Sequence, residues 1–195
     1  STGMATLDEI GLSIKQILKT KNRKICLFHS VSSYPTPYNE TNLLAMNTIK
    51  KKFPYPVGFS DNGDDLLVPE VAVSLGAKII EKHFTLNKKM RGPDHKLSAN
   101  PSEMSLLVKK IREIEIMRGK FYKIITKNEK KNKVNIRRSI AANKTLEIGH
   151  RIKESDLIML RPGTGYEYKD RKFIIEKKVV KVIKKSEILK RNCIR

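Results

Sequence analysis

Apolar residues recur with a helical period in two long segments of the chain. In the first segment they fall on one helical face, at Leu7, Ile10, Ile14, Ile17 and Leu18. Thr6 precedes this face and Glu9 follows three positions later, which is the pattern of a capping box. The second segment, residues 101–118, has apolar positions at Leu106, Leu107, Ile111 and Ile114. Both segments are predicted to be amphipathic helices.

Between these helices, short apolar runs alternate with further helical patterns. The runs 24–29, 56–60 and 77–84 are rich in strand-forming residues, and each ends in polar residues. Residues 39–52 have helical spacing through Leu43, Met46 and Ile49. Residues 68–75 predict a shorter helix that Gly76 closes. The prediction is therefore a β-α-β-α-β order that ends in the helix 101–118.

Parallel strands need helical crossovers, so this order predicts parallel βα units. A (β/α)8 barrel and a doubly wound sheet both fit, because both place ligands at the carboxyl ends of the strands. Polar residues follow every strand, in the loop 30–37, the loop 61–65 and the Glu81–His83 end of the third strand. We favour a barrel on this placement.

The pattern changes after Arg118. Residues 119–134 are rich in lysine and asparagine and are interpreted as a linker. From residue 135 to 195 the apolar runs are short, and residues 140–148 and 174–183 are predicted strands, with a rigid turn at 161–165. The expected organisation is an α/β domain over 1–118, the linker, and a small, mostly β domain over 135–195.

Charge separates the two parts of the chain. The 195 residues carry a formal charge of +21, and residues 119–195 alone contain 23 basic and 8 acidic residues. Such a segment could bind nucleic acid, membrane phosphates or a small anion. It has few aromatic residues to stack on bases and no recognisable nucleic-acid-binding motif. We therefore interpret the charge as solvated faces, with a noncatalytic basic binding module kept as the rival hypothesis.

Cysteine content and hydropathy limit the cellular context. Cys26 and Cys193 have neither disulfide-framework nor metal-ligand spacing and are interpreted as unpaired thiols. No stretch reaches the roughly 18 consecutive apolar residues of a membrane helix, and no export signal precedes the first motif. The expectation is a cytoplasmic protein without membrane association.

His83 is the strongest single candidate for chemistry. Its neutral imidazole is a good ligand for Mn²⁺ or Zn²⁺, although a lone histidine in a strand is more often structural. The Asn62-Gly63 dipeptide by itself favours a plain turn. Residue types alone leave both alternatives open.

Six stretches, taken together and in order, resemble the sialic acid synthase family. They are Ser1-Thr-Gly-Met-Ala5, His29 to Pro37, Gly58-Phe-Ser-Asp61, Ile80-Glu-Lys-His-Phe-Thr85, Gly92-Pro-Asp-His95 and Arg161-Pro-Gly-Thr-Gly165. The resemblance covers nearly the whole chain. It implies the C-terminal half of a (β/α)8 barrel, followed by a small domain similar to type III antifreeze proteins, also called a SAF domain.

The resemblance also implies a reaction. Enzymes of this family condense phosphoenolpyruvate with N-acetylmannosamine to give N-acetylneuraminate and phosphate, using a divalent metal, usually Mn²⁺, with Mg²⁺ or Co²⁺ as alternatives. The lysines that bind phosphoenolpyruvate, and a glutamate at the reacting centre, lie on earlier strands of such enzymes. Because this chain begins at Ser1 with no leading strand, we expect a fragment that is inactive alone.

The resemblance assigns roles to seven residues. Catalytic roles fall to His83, Ser60 and Tyr34; substrate-binding roles to Ser32, Tyr34, Ser60, Asp94 and Arg161; and metal-binding roles to His83 and Asn62. Each of the less specific positions has a plainer interpretation: loop packing for Tyr34, an Asx turn for Asp94 and an exposed turn for Arg161. In the family, the arginine matching Arg161 crosses between subunits of a homodimer to hold the N-acetyl group of the sugar.

Two positions depart from the family's pattern. The family commonly has Ser-Asp-His where this chain has Ser60-Asp61-Asn62, and an asparagine carbonyl is a weaker donor than imidazole. Ser32 replaces an asparagine found in some relatives. His95 after Gly-Pro-Asp is more typical of the N-acetylneuraminate and legionaminate branches. The alternatives within the family are legionaminic and pseudaminic acid synthases.

Overall fold

A computed structural model describes residues Ser1–Arg195, which divide into two compact units, Ser1–Phe121 and Tyr122–Arg195. The first unit contains α1 (Leu7–Lys19), β1 (Leu27–Ser30), α2 (Ala45–Lys52), β2 (Val57–Asp61), α3 (Leu67–Ser74), β3 (Ile80–Lys82) and α4 (Pro101–Arg118). The second unit contains α5 (Lys127–Ile136), β4 (Ser139–Ala142), β5 (Leu157–Leu160) and α6 (Arg171–Ile174). The predicted α/β class of the first unit is confirmed.

The sheet of the first unit is parallel, in the order β1-β2-β3. Leu27 pairs with Val57, and Phe59 pairs with Ile80. Strands that are consecutive in sequence are thus neighbours in the sheet, as short helical crossovers require. Beyond β3, a parallel bridge joins Phe84 to Ala99, and Thr2 donates its backbone N–H to Phe28 O at the opposite edge.

All the crossover helices pack on one face of this sheet. A single hydrophobic cluster joins residues of α1, α2 and α3 to strand residues, and its members are Ile10, Ile14, Ile25, Leu27, Met46, Ile49, Val57, Phe59, Val68, Ala72 and Ala77. Leu27, Val57 and Phe59 therefore face the helices. Because side chains alternate along a strand, Phe28, Gly58 and Ser60 face the other way.

The caps of the helices follow the sequence prediction. The Thr6 side chain accepts from the Glu9 N–H, and the Glu9 carboxylate accepts from the Thr6 N–H, which confirms the capping box. The Thr6 N–H and the Thr6 hydroxyl both donate to the Glu9 carboxylate and hold the pKa of Glu9 below its ordinary value. Gly76 follows α3 with a φ of +107°, a conformation that glycine adopts without strain.

Several predicted element boundaries were wrong. The helix expected over 39–52 begins only at Ala45, after a 3-10 turn at Tyr38–Glu40, because Asn42 has a φ of 42° and interrupts the helical backbone. Leu106 was predicted to point inward but is 46% exposed, since its neighbour Leu107 occupies the buried position between α3 and α4. Ile17, on the edge of the apolar face of α1, is also exposed.

The second unit differs more from its prediction. Residues 119–134 were interpreted as a linker, but most of α5 lies there, capped by Thr126 and Glu129 in a capping box of its own. The predicted strand 174–183 is instead the end of α6 at Ile174, followed by isolated antiparallel bridges at Lys178, Val179 and Ile183. The regular sheet is β4 paired antiparallel with β5, a strand that the sequence analysis did not assign.

The core of the second unit nevertheless draws on the predicted apolar runs. Its buried residues include Ile140, Leu146, Ile174, Val179 and Ile183. Leu146 and Ile183 exchange backbone hydrogen bonds of 2.8 and 3.0 Å. No helix of either unit is long and apolar enough to cross a membrane.

Candidate active site

The polar residues that follow the three parallel strands line one open cleft. It has a volume of about 410 Å³ and lies at the carboxyl ends of β1, β2 and β3; its lining residues are Ser1, Gly3, Ser30, Ser32, Tyr34, Ser60, Asp61, Asn62, Glu81, Lys82 and His83. Five of the seven residues with predicted roles are among them, namely Ser32, Tyr34, Ser60, Asn62 and His83. Parallel strands bring their carboxyl ends to the same edge, which is why residues distant in sequence meet here.

Three consecutive pairs of side chains join the ends of β2 and β3. The Ser60 hydroxyl donates to Glu81 Oε1 at 2.7 Å. One position further, Lys82 Nζ lies 2.6 Å from Asp61 Oδ2. Next along the chain, His83 Nε2 lies 3.3 Å from the Asn62 side-chain oxygen, Oδ1. All three pairs border the cleft, but the charged second pair is almost closed to solvent, with side chains 2% and 1% exposed.

The orientation of Asn62 is set by the neighbouring strand. Its Nδ2 donates to Val31 O at 2.8 Å and to Ser30 Oγ at 3.3 Å. With the amide nitrogen occupied in this way, Oδ1 is directed toward His83. Asn62 is buried, whereas the His83 side chain is 30% exposed. The two residues therefore present an amide oxygen and an imidazole nitrogen from the wall of the cleft.

Two further predicted residues flank His83. The ring of Tyr34 meets the imidazole edge-on, with the ring centroids 5.7 Å apart and an interplanar angle of 89°. Asp94 Oδ2 lies 3.9 Å from His83 Nδ1, so the loop after β3 brings its carboxylate next to the cleft. Asp94 is 56% exposed and is free to accept hydrogen bonds from a ligand.

Close packing at the β1 edge brings Gly3 against Ser32. A Cβ atom on Gly3 would lie 2.2 Å from Ser32 Oγ, far inside van der Waals contact. The neighbouring Thr2 anchors this segment to β1, because its N–H and its hydroxyl both donate to Phe28 O, at 2.9 and 2.7 Å. Glycine at position 3 therefore allows the N-terminal segment to form one wall of the cleft.

A second contact ties together the loops that follow β1 and β2. The Tyr38 hydroxyl donates to Asp65 Oδ2, and Asp65 Oδ1 accepts from the Leu67 N–H at 2.9 Å. The hydrogen bond to Asp65 raises the pKa of the Tyr38 phenol above its ordinary value. This contact holds the loop that carries Tyr34 against the start of α3.

The donor atoms of the cleft suit a divalent cation with open coordination positions. No group of three or more His, Cys, Asp or Glu side chains is arranged to enclose a metal ion. The Asn62 amide oxygen and the His83 imidazole are donor types that suit Mn²⁺ better than a soft metal. Substrate oxygens and water would complete the coordination, as is usual for a metal ion that participates in catalysis.

Arg161 does not belong to this set of contacts. It lies in the second unit, where its Nε donates to Ile136 O at 2.9 Å, at the end of α5. The residue as a whole is exposed. The turn that follows is tightly packed, because a Cβ on Gly165 would lie 2.3 Å from Ile188 Cγ2.

Several lining residues were not predicted as site residues. Ser30, Glu81 and Gly3 were within quoted motifs but received no role. The buried ion pair of Asp61 with Lys82 was also missed, although both residues immediately precede a predicted metal ligand. The signal available in the sequence was the repeated placement of a charged residue before Asn62 and before His83.

The fold and the cleft define an α/β protein that carries its polar site at the carboxyl ends of parallel strands. The model of the NeuB family matches residues 1–123. The chain is 44% identical over 179 residues to an uncharacterized protein of Methanocaldococcus jannaschii, covering 92% of this chain and 53% of that protein. It is 42% identical over 169 residues to the N,N'-diacetyllegionaminic acid synthase of Legionella pneumophila, covering 85% of this chain and 48% of the relative.

A solved structure agrees with these matches. The N-acetylneuraminic acid (sialic acid) synthetase of Leptospira borgpetersenii is similar, with 35% identity and a TM-score of 0.61, over 67% of this chain and 45% of that one. The chain therefore belongs to the NeuB family. It spans about half the length of the curated relatives it matches.

Proposed function

We propose that the protein containing this chain is a phosphoenolpyruvate-dependent nonulosonate synthase, which joins phosphoenolpyruvate to an N-acetylated amino hexose. The observation that carries the proposal is the convergence of Asn62, His83, Ser60 and Ser32 in one cleft at the strand ends. Family membership supports it. The reaction belongs to the complete enzyme, because the chain spans about half of its curated relatives.

In the proposed reaction a carbon-carbon bond forms and a carbon-oxygen bond breaks. C3 of phosphoenolpyruvate attacks the aldehyde carbon of the hexose, whose oxygen takes up a proton and becomes a hydroxyl. Water adds at C2, and phosphate leaves with cleavage of its C–O bond. The products are a nine-carbon keto acid and inorganic phosphate.

The cleft residues bind and orient the two substrates. The Ser32 hydroxyl donates a hydrogen bond to an anionic group of phosphoenolpyruvate, and the Ser60 hydroxyl does so in exchange for its hydrogen bond to Glu81. Asp94 accepts hydrogen bonds from the sugar hydroxyls, and charge-assisted hydrogen bonds of this kind are the stronger ones. Tyr34 packs beside His83 and excludes water from the reacting aldehyde.

Asn62 and His83 would hold the divalent metal, proposed to be Mn²⁺. The metal supplies Lewis acidity, which polarises an aldehyde oxygen toward attack. The Glu81 carboxylate lines the same cleft and accepts a hydrogen bond from the Ser60 hydroxyl at 2.7 Å. Its hydrogen bond fixes the Ser60 oxygen on the cleft face.

We further propose that the first unit is the C-terminal half of a (β/α)8 barrel and that the second is a SAF domain. Sequential parallel strands that share one hydrophobic cluster with α1, α2 and α3 support the barrel over a doubly wound sheet, which has helices on both faces. In the complete protein, a homodimer would bring Arg161 of one subunit to the sugar pocket of the other.

Two acceptor sugars are candidates. N-acetylmannosamine would give N-acetylneuraminate, and the similar Leptospira structure is named as such a synthetase. The hexose precursor of N,N'-diacetyllegionaminic acid is the second candidate, because the Legionella relative at 42% identity is named for that product. The two sugars differ in the polar groups that Asp94 and its loop would have to bind.

The test is an assay of the full-length protein with phosphoenolpyruvate, Mn²⁺ and each purified hexose in turn. We expect phosphate release together with a nine-carbon keto acid by mass spectrometry for one hexose, and a His83→Ala protein serves as the inactive control. Phosphate release without the keto acid, or no product from any hexose with a folded protein, would refute the synthase assignment.

A further inference from the structure

The ends of β2 and β3 carry an ion pair that is closed to solvent. Lys82 Nζ lies 2.6 Å from Asp61 Oδ2, and their side chains are 2% and 1% exposed. Removing two charges from water costs more than their attraction returns unless further hydrogen bonds satisfy both groups. Even when such hydrogen bonds are present, a buried ion pair is weak evidence for stabilisation, because apolar residues of similar volume often stabilise a fold as well.

The additional hydrogen bonds all go to one residue, Gly63. Asp61 Oδ1 accepts from the Gly63 N–H at 3.0 Å, and Lys82 Nζ donates to the Gly63 carbonyl at 2.9 Å. A Cβ on Gly63 would lie only 3.1 Å from Asp61 Oδ1, so glycine leaves room for this close approach. The ion pair thus holds both the N–H and the carbonyl of Gly63, the residue that follows Asn62.

The residues next to the ion pair are the two donors of the cleft. Asn62 follows Asp61 and His83 follows Lys82, so each donor is joined through the backbone to one member of the ion pair. The distance from Asn62 Oδ1 to His83 Nε2 is 3.3 Å. Any sliding or separation of the ends of β2 and β3 would change this distance. The ion pair joins the same two strand ends and opposes such a movement.

We propose that the Asp61–Lys82 ion pair is a positioning device that holds the Asn62 amide oxygen and the His83 imidazole at the separation needed to bind a divalent cation together. Each charged group is paired with the other and almost closed to solvent. The pair acts through Gly63 and through the register of β2 against β3. The part of this inference that concerns a cation rests on the proposed function; the part that concerns the orientation of Asn62 does not.

Two variants of the full-length protein separate positioning from simple stability. Lys82→Met removes the ammonium and leaves the Asp61 charge buried, so it also destabilises the protein. The double variant Asp61→Asn/Lys82→Met removes both charges, leaves no unpaired ion, and keeps an acceptor for the Gly63 N–H. Lys52→Met is the matched control, because Lys52 pairs with Asp8 at 2.8 Å on the exposed surface of the same unit.

The first measurement is Mn²⁺ affinity by electron paramagnetic resonance. We expect binding about tenfold weaker in the double variant, in the range seen when residues that support metal ligands are changed. Lys52→Met should bind Mn²⁺ as the unaltered protein does. If Lys82→Met fails to fold, the double variant decides, and Mn²⁺ affinity unchanged in a folded double variant would overturn the inference.

The second measurement needs no metal. The Asn62 side-chain amide resonances of the metal-free, ¹⁵N-labelled protein report the hydrogen bonds to Val31 and Ser30. We expect them to move in the double variant and to stay in place in Lys52→Met. If the unaltered protein binds no Mn²⁺, the metal role in the proposed function fails, and these resonances alone decide: a shift supports positioning and unchanged resonances reject it.

Discussion

Replacing Asp156 should destabilise the second unit more than replacing any exposed charged residue. The Asp156 side chain is 1% exposed, and its Oδ2 accepts from His150 Nε2 at 2.7 Å and from the Lys153 N–H at 2.9 Å. Its Oδ1 lies 2.9 Å from Lys144 Nζ. Burial alone would raise the pKa of this carboxyl, but the contacts from His150, Lys153 and Lys144 outweigh burial and hold the pKa far below its ordinary value.

The magnitude follows from the groups left without a partner. Asp156→Ala removes two accepted hydrogen bonds and one ion pair, and it leaves the His150 ring and the Lys153 N–H unsatisfied. Each hydrogen bond to a charged group contributes about 1.5–3 kcal/mol, and the pair with Lys144, whose side chain is 61% exposed, adds little. We expect a loss of about 3–5 kcal/mol in the free energy of unfolding.

The assay is hydrogen exchange of the Leu146 and Ile183 amides, which bond to each other's carbonyls within the second unit. A loss of 3 kcal/mol or more should accelerate their exchange by at least about 100-fold, because 1.36 kcal/mol corresponds to a factor of ten. Glu154→Ala is the control: Glu154 forms a more exposed pair with Arg171 at 2.7 Å, and such pairs contribute about 0–1 kcal/mol. A loss below about 1 kcal/mol for Asp156→Ala would refute the reasoning.

The same carboxylate predicts a pH dependence with a definite sign. Its pKa is depressed in the folded state, so its contribution is present above the pKa of an unfolded aspartate, about 3.9, and declines as the pH falls below that value. The difference in stability between the unaltered protein and Asp156→Ala should therefore be fully present at pH 5 and shrink below about pH 4. A constant difference down to pH 2 would contradict the assignment.

Three further outcomes follow from the site, and a fourth from the charge. Asn62→His should tighten Mn²⁺ binding because imidazole is the stronger donor, and His83→Ala should nearly abolish it, as measured by electron paramagnetic resonance; unchanged affinity in His83→Ala would remove this metal site. Gly3→Ala should raise the KM for phosphoenolpyruvate, because the new Cβ would lie 2.2 Å from Ser32 Oγ and would displace this side chain. An unaltered KM would mean that the Ser32 hydroxyl does not bind this substrate. In the full-length protein, Arg161→Ala should raise the KM of the hexose more than that of phosphoenolpyruvate. Mixing Arg161→Ala subunits with His83→Ala subunits should restore activity, because one pocket of the mixed dimer then has neither change. No recovery despite subunit exchange would reject a role across the interface. Binding to duplex DNA should be weak, independent of sequence and steeply lost with added salt, as phosphate neutralisation alone predicts; tight binding at high salt would favour a basic binding module.

The sequence by itself determined the features that depend on residues close along the chain. The capping box of Thr6 and Glu9, the span of the helix 101–118 and the turn at Gly76 are confirmed because each follows from local hydrogen bonds or from backbone freedom within one or two turns. The grouping of Ser60, Asn62 and His83 was also predictable. The alternation of strands and helices requires parallel pairing, and parallel pairing brings the strand ends to one edge.

Only the tertiary structure decided the contacts that join residues far apart in the chain. Nothing in the local pattern pairs Asp61 with Lys82, or Tyr38 with Asp65, because these contacts depend on strand register and on the path of loops across the sheet. The same limit explains the errors in the second unit, where residues 178–183 form isolated bridges to distant segments and no continuous strand. Hydrophobic periodicity identifies which face of an element is buried. It carries no information on the partner that covers that face, because many partners bury the same apolar surface equally well.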